Sequence, residues 1–272
     1  MSRVKTAKQL SKMAENRINE EYILQQYEST TTQENFRQYK ERITTLKRLY
    51  RGEWDDKYLD SSSMPGKPLI ENIVKRGIHD IAGLACEAQA SQTFIPRTSK
   101  KESYDDAQMR ESVCDTIFEV AEGRQLERQL YMDIIGTGIM AVAVVENKRS
   151  DYPQYVRLDP ERCYPDVFNG VLEDLLVVET VKLRHLQRKY PDVLGDVDPT
   201  IDQDCTVVDY YDDYCVVKAL IIKKEGQIVP GLPTESVVIL SRWEHGLDLI
   251  PVAFKKLVTL DSAFRGMYDQ VE

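Results

Sequence analysis

Apolar residues recur at helical spacing through the first half of the chain. The sequence predicts helices, each with its apolar residues on one face, over 4–28, 36–51, 69–88, 103–122 and 124–135. The apolar stripe of the first helix is narrow, and such a stripe does not hold a helix alone in water. That helix therefore needs a partner surface, which a neighbouring subunit can supply.

The pattern changes in the second half, where β-branched residues form short apolar runs that are typical of strands. The predicted strands have the sequences IMAVAVVEN, QYVRLDP, DLLVVETV, CTVVDYYDD, YCVVKALIIKK and ESVVILSR. A helix with the sequence KLRHLQRKYPD interrupts them, a loop is predicted over 192–204, and SQTFIP (91–96) predicts a short strand. The run DYYDDYCVV predicts a hairpin with Asp212 and Asp213 at its tip. The expected fold is α+β, with a helical first half packed on a β-rich second half.

Two glycines stand where the pattern changes. Gly136-x-Gly138-x-x-Ala141 matches the glycine fingerprint of dinucleotide-binding folds. That fingerprint requires a strand before the glycines and a helix after them, so that phosphate meets a helix N-terminus. Here a helical pattern comes first and a strand pattern follows. We therefore expect that Gly136 ends a helix, that Gly138 turns the chain into a buried strand, and that Asp133 caps or pairs within this corner.

Charge narrows the classes of function. The 272 residues carry a net charge of −9 at pH 7, whereas free-standing DNA-binding proteins are usually basic. The N-terminus has no apolar stretch typical of a secretory signal, and no apolar run is long enough to predict a membrane helix. Positive charge is concentrated in 36–51, which reads as an ordinary exposed face or as a contact surface for nucleic acid or another subunit. The candidate contact residues are Arg37, Lys40, Lys47, Arg48 and Arg51.

Motifs of known chemistry do not emerge from the sequence. The five cysteines are far apart, the three histidines have no recognisable nucleophile beside them, and there is no HExxH or GxxxxGK[ST] pattern. The aspartates of 196–204 lack the closing glutamate of a calcium-binding loop. The sequence therefore predicts no catalytic, cofactor-binding or metal-binding residue and no enzymatic activity. One alternative stays open, a metal-dependent nuclease-type enzyme that uses the dispersed carboxylates Asp133, Asp159 and Asp166.

Several segments resemble, in the same order, elements of the portal protein of tailed bacteriophages, the head-to-tail connector. They are LYRGEW (49–54), GKPLIENIVKRGIHDIAG (66–83), YDDAQMRESV (104–113), YMDIIGTGIMAVAVV (131–145), YVRLDPERCYPD (155–166), LIPVAF (249–254) and FRGMYDQVE (264–272). The resemblance covers 36–272. The residues that match the family's motifs are Tyr50, Gly52, Trp54, Asn72, Asp133, Gly136, Gly138, Asp159 and Pro160.

The resemblance implies a structural protein of the virion that is present in the host cytoplasm during assembly. Portal subunits form a ring, typically a dodecamer, at one capsid vertex, and double-stranded DNA is packaged and ejected through its channel. The implied partners are other copies of the chain, the major capsid protein, the terminase motor and a head–tail adaptor. Another head–tail connector or minor capsid protein is the closest alternative.

The resembled region is the wing of the portal subunit. It implies an N-terminal helical arm (1–30), a helical wing layer (31–137), a β-rich wing subdomain (138–260) and the start of a stem-directed segment (261–272). In the family the chain continues into stem and clip, so the sequence is expected to be a fragment or a truncated relative.

Overall fold

The computed structural model describes residues 18–53, 72–88, 93–147, 150–168, 170–195, 203–222, 237–247 and 249–257. Helices dominate the first half of this part of the chain. They are α1 (Glu20–Thr31), α2 (Glu34–Arg51), α3 (Ile73–Glu87), α4 (Lys101–Val120) and α5 (Gly123–Thr137), with α6 (Leu183–Lys189) and α7 (Pro191–Leu194) later in the chain. No helix among these described residues is long and apolar enough to cross a membrane.

Strands dominate the second half. They are β1 (Ile139–Val145), β2 (Gln154–Leu158), β3 (Cys163–Phe168), β4 (Val171–Lys182), β5 (Asp204–Tyr211), β6 (Cys215–Ile221), β7 (Val237–Glu244) and β8 (Val252–Lys256). They form two antiparallel sheets, of three strands in the order β2-β1-β8 and of five strands in the order β3-β4-β5-β6-β7. A helical first half with a strand-rich second half confirms the predicted α+β class.

The chain divides into two compact units, each built from segments that are distant in sequence. The first unit comprises Met1–Gln38 and Glu161–Val252, and the second comprises Tyr39–Pro160 and Ala253–Glu272. The five-stranded sheet belongs to the first unit, and helices α3 to α5 with strands β1 and β2 belong to the second. The sequence analysis expected four consecutive segments: the helical arm, the helical layer, the β-rich subdomain and the stem-directed segment. This division stays a prediction.

In the first unit, helix α1 lies on one face of the five-stranded sheet. Its buried Ile23, with Ile18 just before the helix, packs in a cluster with Val208 and Val217 of strands β5 and β6. The part of the apolar stripe that begins at Ile18 therefore has a partner surface within its own chain, whereas residues 4–17 of the predicted helix lie outside the described residues. Asn19 caps the helix by accepting a hydrogen bond from the backbone N–H of Tyr22, at 2.8 Å.

The opposite face of the same sheet is covered by helices α6 and α7. Leu183, Leu186 and Leu194 of these helices are buried against Val207 of strand β5 and Leu220 of strand β6. Since successive side chains of a strand point to opposite faces, Val207 and Val208 enter different clusters. The strands are apolar on both faces because helices cover both of them.

The hairpin between β5 and β6 agrees with its prediction. The two strands pair antiparallel from Thr206 opposite Ile221 to Tyr211 opposite Val216. At the tip, the buried side chain of Asp212 accepts hydrogen bonds from the backbone N–H groups of Tyr214 at 2.9 Å and of Cys215 at 2.6 Å. An aspartate that satisfies the turn's own donors explains why the chain reverses at this point.

Several predicted boundaries were wrong. Residues 93–96 of the expected strand SQTFIP have no regular structure. The helical turn Pro191–Leu194 extends to residue 194 within the expected loop 192–204, of which 196–202 lie outside the described residues. Strands β3 and β8 were not expected as separate strands. Both lie at sheet edges, where pairing on one side alone tolerates an irregular pattern such as Pro165 within β3.

Candidate functional site

The residues singled out from the sequence around the two glycines meet at the junction of helix α5 and strand β1. Gly138 is the C-cap of α5 and has the left-handed backbone angle φ +88°. Its N–H donates to the carbonyl of Ile134 at 3.0 Å, and strand β1 begins at the next residue. The predicted order of helix, glycine and strand is confirmed. The expectation that Gly136 ends the helix was wrong, because the helix continues to Thr137 and the left-handed turn falls at Gly138.

Asp133 of helix α5 is buried and binds Arg157 of strand β2 through both carboxylate oxygens. Arg157 donates from Nε to Oδ2 at 2.5 Å and from Nη2 to Oδ1 at 2.6 Å. The side chain of Asp133 is 10% exposed and that of Arg157 is 34% exposed. Burial raises the pKa of Asp133, and the guanidinium of Arg157 opposes this rise. The expectation that Asp133 pairs within the corner is confirmed.

A second ion pair lies beside the first. Lys47 of helix α2 places its Nζ 3.8 Å from Oδ2 of Asp159, the residue that follows strand β2. Charges from both members act on Asp133, since Asp159 raises the pKa of Asp133 and Lys47 lowers it. Pro160 is buried and opens a single 3-10 turn. We call the four residues Lys47, Asp133, Arg157 and Asp159 the ion-paired corner.

The end of helix α2 and the start of helix α3 are joined by one side chain. Asn72 caps α3, accepting from the backbone N–H of Lys75 at 2.9 Å. Its Nδ2 donates to the carbonyls of Leu49 at 3.0 Å and Tyr50 at 2.8 Å. The chain leaves α2 through Gly52, whose φ of +79° is left-handed. The asparagine therefore satisfies groups at both helix ends.

Tyr50 also contacts helix α3 directly. Its hydroxyl lies 2.6 Å from Nε2 of His79, and the two rings stack with their centroids 5.9 Å apart. This contact could not be predicted from the sequence, since it joins residues on two different helices. Trp54, the last residue of the LYRGEW motif, lies outside the described residues.

The basic candidates share one side of helix α2, because their spacings follow the helical repeat. Arg37 pairs with Glu34 at 2.7 Å, and Lys40 lies 5.9 Å from the centroid of the Tyr39 ring. Lys47 takes part in the ion-paired corner, whereas Arg48 and Arg51 are exposed in the last turn. Of the five, Arg37, Arg48 and Arg51 are exposed, and Lys40 and Lys47 are half-buried.

The charged groups of the ion-paired corner are engaged with each other. Both carboxylates are engaged by basic side chains, and the N–H of Gly138 is already bonded to Ile134. An open groove of about 790 Å³ next to the corner is lined by glutamines and by Glu146, Tyr155 and Arg157. Within the described ranges, no three His, Cys, Asp or Glu side chains converge as metal ligands would. Asp166, the third carboxylate of the nuclease alternative, belongs to strand β3 in the first unit.

The first unit contains a second polar network that sequence reasoning missed. The hydroxyls of Tyr22 and Tyr210 are 3.0 Å apart, and Tyr210 donates to Oδ2 of Asp174 at 3.2 Å. Burial raises the pKa of Asp174 to about 6, with further increases from the neighbouring carboxylates of Asp166 and Asp212. The contact could not be predicted from the sequence, because Tyr22 on helix α1 and Tyr210 on strand β5 are far apart in the chain.

All five cysteines lie in the described residues and none of them forms a disulfide there; Cys163, Cys205 and Cys215 are buried, and Cys86 and Cys114 are half-buried. A comparison with models of known protein families gave no match to the chain, and a comparison with curated proteins gave no significant match.

Proposed function

We propose that the chain is a portal subunit of a tailed bacteriophage, which assembles into a ring at the capsid vertex through which viral DNA is packaged and ejected. The observation that carries the proposal is the pairing of the motif residues in the structure. Several segments each resemble a portal element. Residues of these motifs form hydrogen bonds with residues of other motifs.

Two such connections support the proposal. Asn72 of the second motif binds the carbonyl of Tyr50 in the first motif. Asp133 of the helix-to-strand motif binds Arg157 in the YVRLDP motif that follows it. Each connection joins segments more than twenty residues apart in sequence. Side chains that connect separate helices and strands in this way stabilise the fold, which is the role expected of them in a structural subunit.

The engagement of the carboxylates is the second argument. A nuclease would need Asp133 and Asp159 available to a metal ion, but each has a basic side chain within 4.0 Å. Burial of Asp133 with Arg157 holds the carboxylate in one position rather than presenting it to a substrate. Charges used in this way stabilise the corner between helix and sheet.

The overall charge is consistent with a conduit for DNA. A net charge of −9 repels phosphate, so a channel built from such subunits lets DNA slide without adhering to its wall. The basic side of helix α2 then serves contacts with a neighbouring subunit or with DNA locally. The major capsid protein, the terminase motor and a head–tail adaptor are the further partners of this proposal.

Particle mass tests the proposal. We expect the purified chain to sediment in native buffer as a closed oligomer of many copies, with twelve as the expected number. A species of 31.4 kDa at every concentration up to about 100 μM would contradict the proposal. Cleavage of DNA that needs magnesium or manganese and is lost in Asp159→Ala would instead favour the nuclease alternative.

A further inference from the structure

The groove beside the ion-paired corner runs along the edge of the three-stranded sheet. Strand β2 lies at one end of the order β2-β1-β8, and within the described residues it pairs with strand β1 alone. The groove touches four consecutive residues of β2, from Gln154 to Arg157. Successive side chains of a strand point to opposite faces of the sheet, so a groove on one face would touch alternate residues. The groove therefore follows the outer edge of the strand.

The outer edge of strand β2 carries backbone groups that can pair with a further strand. Along a strand, every second residue directs its N–H and C=O groups to one side, and the residues between them direct theirs to the other side. One side of β2 faces β1, and no described strand lies on the other. The five residues of β2 span about 17 Å. The edge thus presents donors and acceptors to an added strand of similar length.

Helices α4 and α5 also line the groove. Val120 is the last residue of α4, and Gln125, Leu126 and Gln129 belong to the first two turns of α5. Gln125 and Gln129 are exposed and lie about one helical turn apart. Their amide groups can both donate and accept hydrogen bonds, which suits the backbone of a peptide. The groove volume of about 790 Å³ lies within the range of about 300–1,000 Å³ that is usual for ligand sites.

The described lining of the groove carries negative charge that has no counter-charge. Its basic side chain, Arg157, is paired with Asp133. Its other charged side chains are Glu122 and Glu146, both exposed, and neither forms an ion pair in the part of the chain that the structure describes. Glu122 precedes helix α5 but does not cap it with its side chain, so this carboxylate is not used by the helix. Basic side chains on an occupant would complement the two carboxylates.

We propose that the groove binds an extended segment of a partner protein, with alternating basic and apolar residues, which joins the sheet as a strand beside β2. Main-chain hydrogen bonds to the edge supply affinity in this mode of binding, and side-chain contacts supply specificity. Basic side chains of the segment lie near Glu122 and Glu146. Its apolar side chains contact Val120 and Val156, which are 52% and 36% exposed.

The site belongs to the second unit alone, so the inference goes beyond the proposed function and does not depend on a ring. Fluorescence anisotropy on the full chain tests it, with the labelled peptide Lys-Val-Lys-Val-Lys carrying a C-terminal amide. We expect saturable binding of this basic peptide. The peptide Glu-Val-Glu-Val-Glu has the same backbone and the opposite charge, and we expect it to bind at least about tenfold more weakly.

Two N-methylated forms of the basic peptide test whether it binds as a strand. One form is methylated on the backbone nitrogens of both valines, and the other on those of the third and fifth residues. An added strand uses one of its two edges, so only one form loses the N–H groups that face β2. We expect that form to bind at least about tenfold more weakly, and the other to bind within about threefold of the unmodified peptide.

Two substitutions in the protein test the charges of the groove. We expect Glu122→Gln with Glu146→Gln to weaken binding of the basic peptide by about threefold or more. The matched control is Glu102→Gln with Asp105→Asn, which removes the same charge at exposed positions in the first turns of helix α4, at the other end from Val120. We expect the control to bind as the wild type does.

Hydrogen exchange measured by mass spectrometry locates the bound peptide. We expect slower exchange in the segment that contains strand β2 when the unmodified peptide is bound. A lack of saturable binding would overturn the proposal, and so would equal effects of the two methylations or slower exchange confined to other segments. Equal affinity of the wild type and the Glu122→Gln, Glu146→Gln variant would overturn the role of the two carboxylates.

Discussion

Asp133 on helix α5 and Arg157 on strand β2 form a two-point ion pair across the corner where helix gives way to sheet. Strand β1 leaves the helix at Gly138, and strand β2 returns antiparallel to it with Arg157 opposite Val142. The ion pair thus connects helix α5 to strand β2, and strand β1 lies between them in the chain. If the helix and the hairpin separated, the buried carboxylate of Asp133 would lose its charged partner.

Removal of the carboxylate tests this relationship. We expect Asp133→Ala to lower the free energy of unfolding by about 2–3 kcal/mol, because Arg157 loses its partner while partly buried. Asp133→Ala combined with Arg157→Met should recover most of this loss, since the apolar side chain needs no partner. Urea denaturation followed by far-UV circular dichroism measures both.

The exposed pair Arg37–Glu34 supplies the control, with both side chains more than half exposed. Glu34→Ala should lower the stability far less than Asp133→Ala does, because exposed ion pairs are screened by water and contribute little. An equally small effect for Asp133→Ala would mean that the corner pair contributes no more than a surface contact.

Gly138 occupies a left-handed conformation that L-residues rarely adopt. We expect Gly138→Ala to destabilise the protein by about 1–2 kcal/mol because the added Cβ strains this backbone. Gly83→Ala is the matched comparison, since Gly83 lies within helix α3 and nothing lies within 4 Å of an added Cβ. That substitution should stabilise by about 0.5–1 kcal/mol. Thermal melting of both variants reports the signs, and a stable Gly138→Ala protein would rule out the strained turn.

Asn72 makes one acceptor and two donor hydrogen bonds with one side chain. Asn72→Ala loses all three, and we expect a loss of about 2 kcal/mol in the free energy of unfolding. Asn72→Ser keeps an oxygen for the cap of helix α3 and loses the amide that reaches helix α2, so about half of the loss should return. If the serine variant is as unstable as the alanine variant, the cap itself contributes little.

The folded protein should bind a proton at Asp174 more tightly than the unfolded chain does, because its pKa is raised from 3.8 to about 6. This contribution to stability is fully present below pH 4 and is lost as the pH rises through 6. Asp174→Asn should therefore flatten the fall in stability between pH 4 and 6. Urea midpoints measured at steps of one pH unit check this. Asp192→Asn, at an exposed position of helix α7, serves as the control, and an unchanged slope in Asp174→Asn would contradict the assignment.

Local sequence patterns were sufficient to predict many of the helices and strands. The run of β-branched and aromatic residues around Val207 and Val208 predicts a strand, and the order of helix, glycine and strand around Gly138 is also visible in the sequence. The partner of each element could not be read in this way. Neither the covering of Ile23 by strands β5 and β6 nor the pairing of Asp133 with Arg157 has a local signal, because both depend on how distant segments meet. Strand β3 was missed for the same reason, since strand β4 holds it in place.

Electron microscopy of the purified chain in negative stain tests the central claim most directly. The account predicts particles with rotational symmetry and a stain-filled central opening. Fields of small particles without a central opening, in a preparation whose circular dichroism confirms folding, would contradict it.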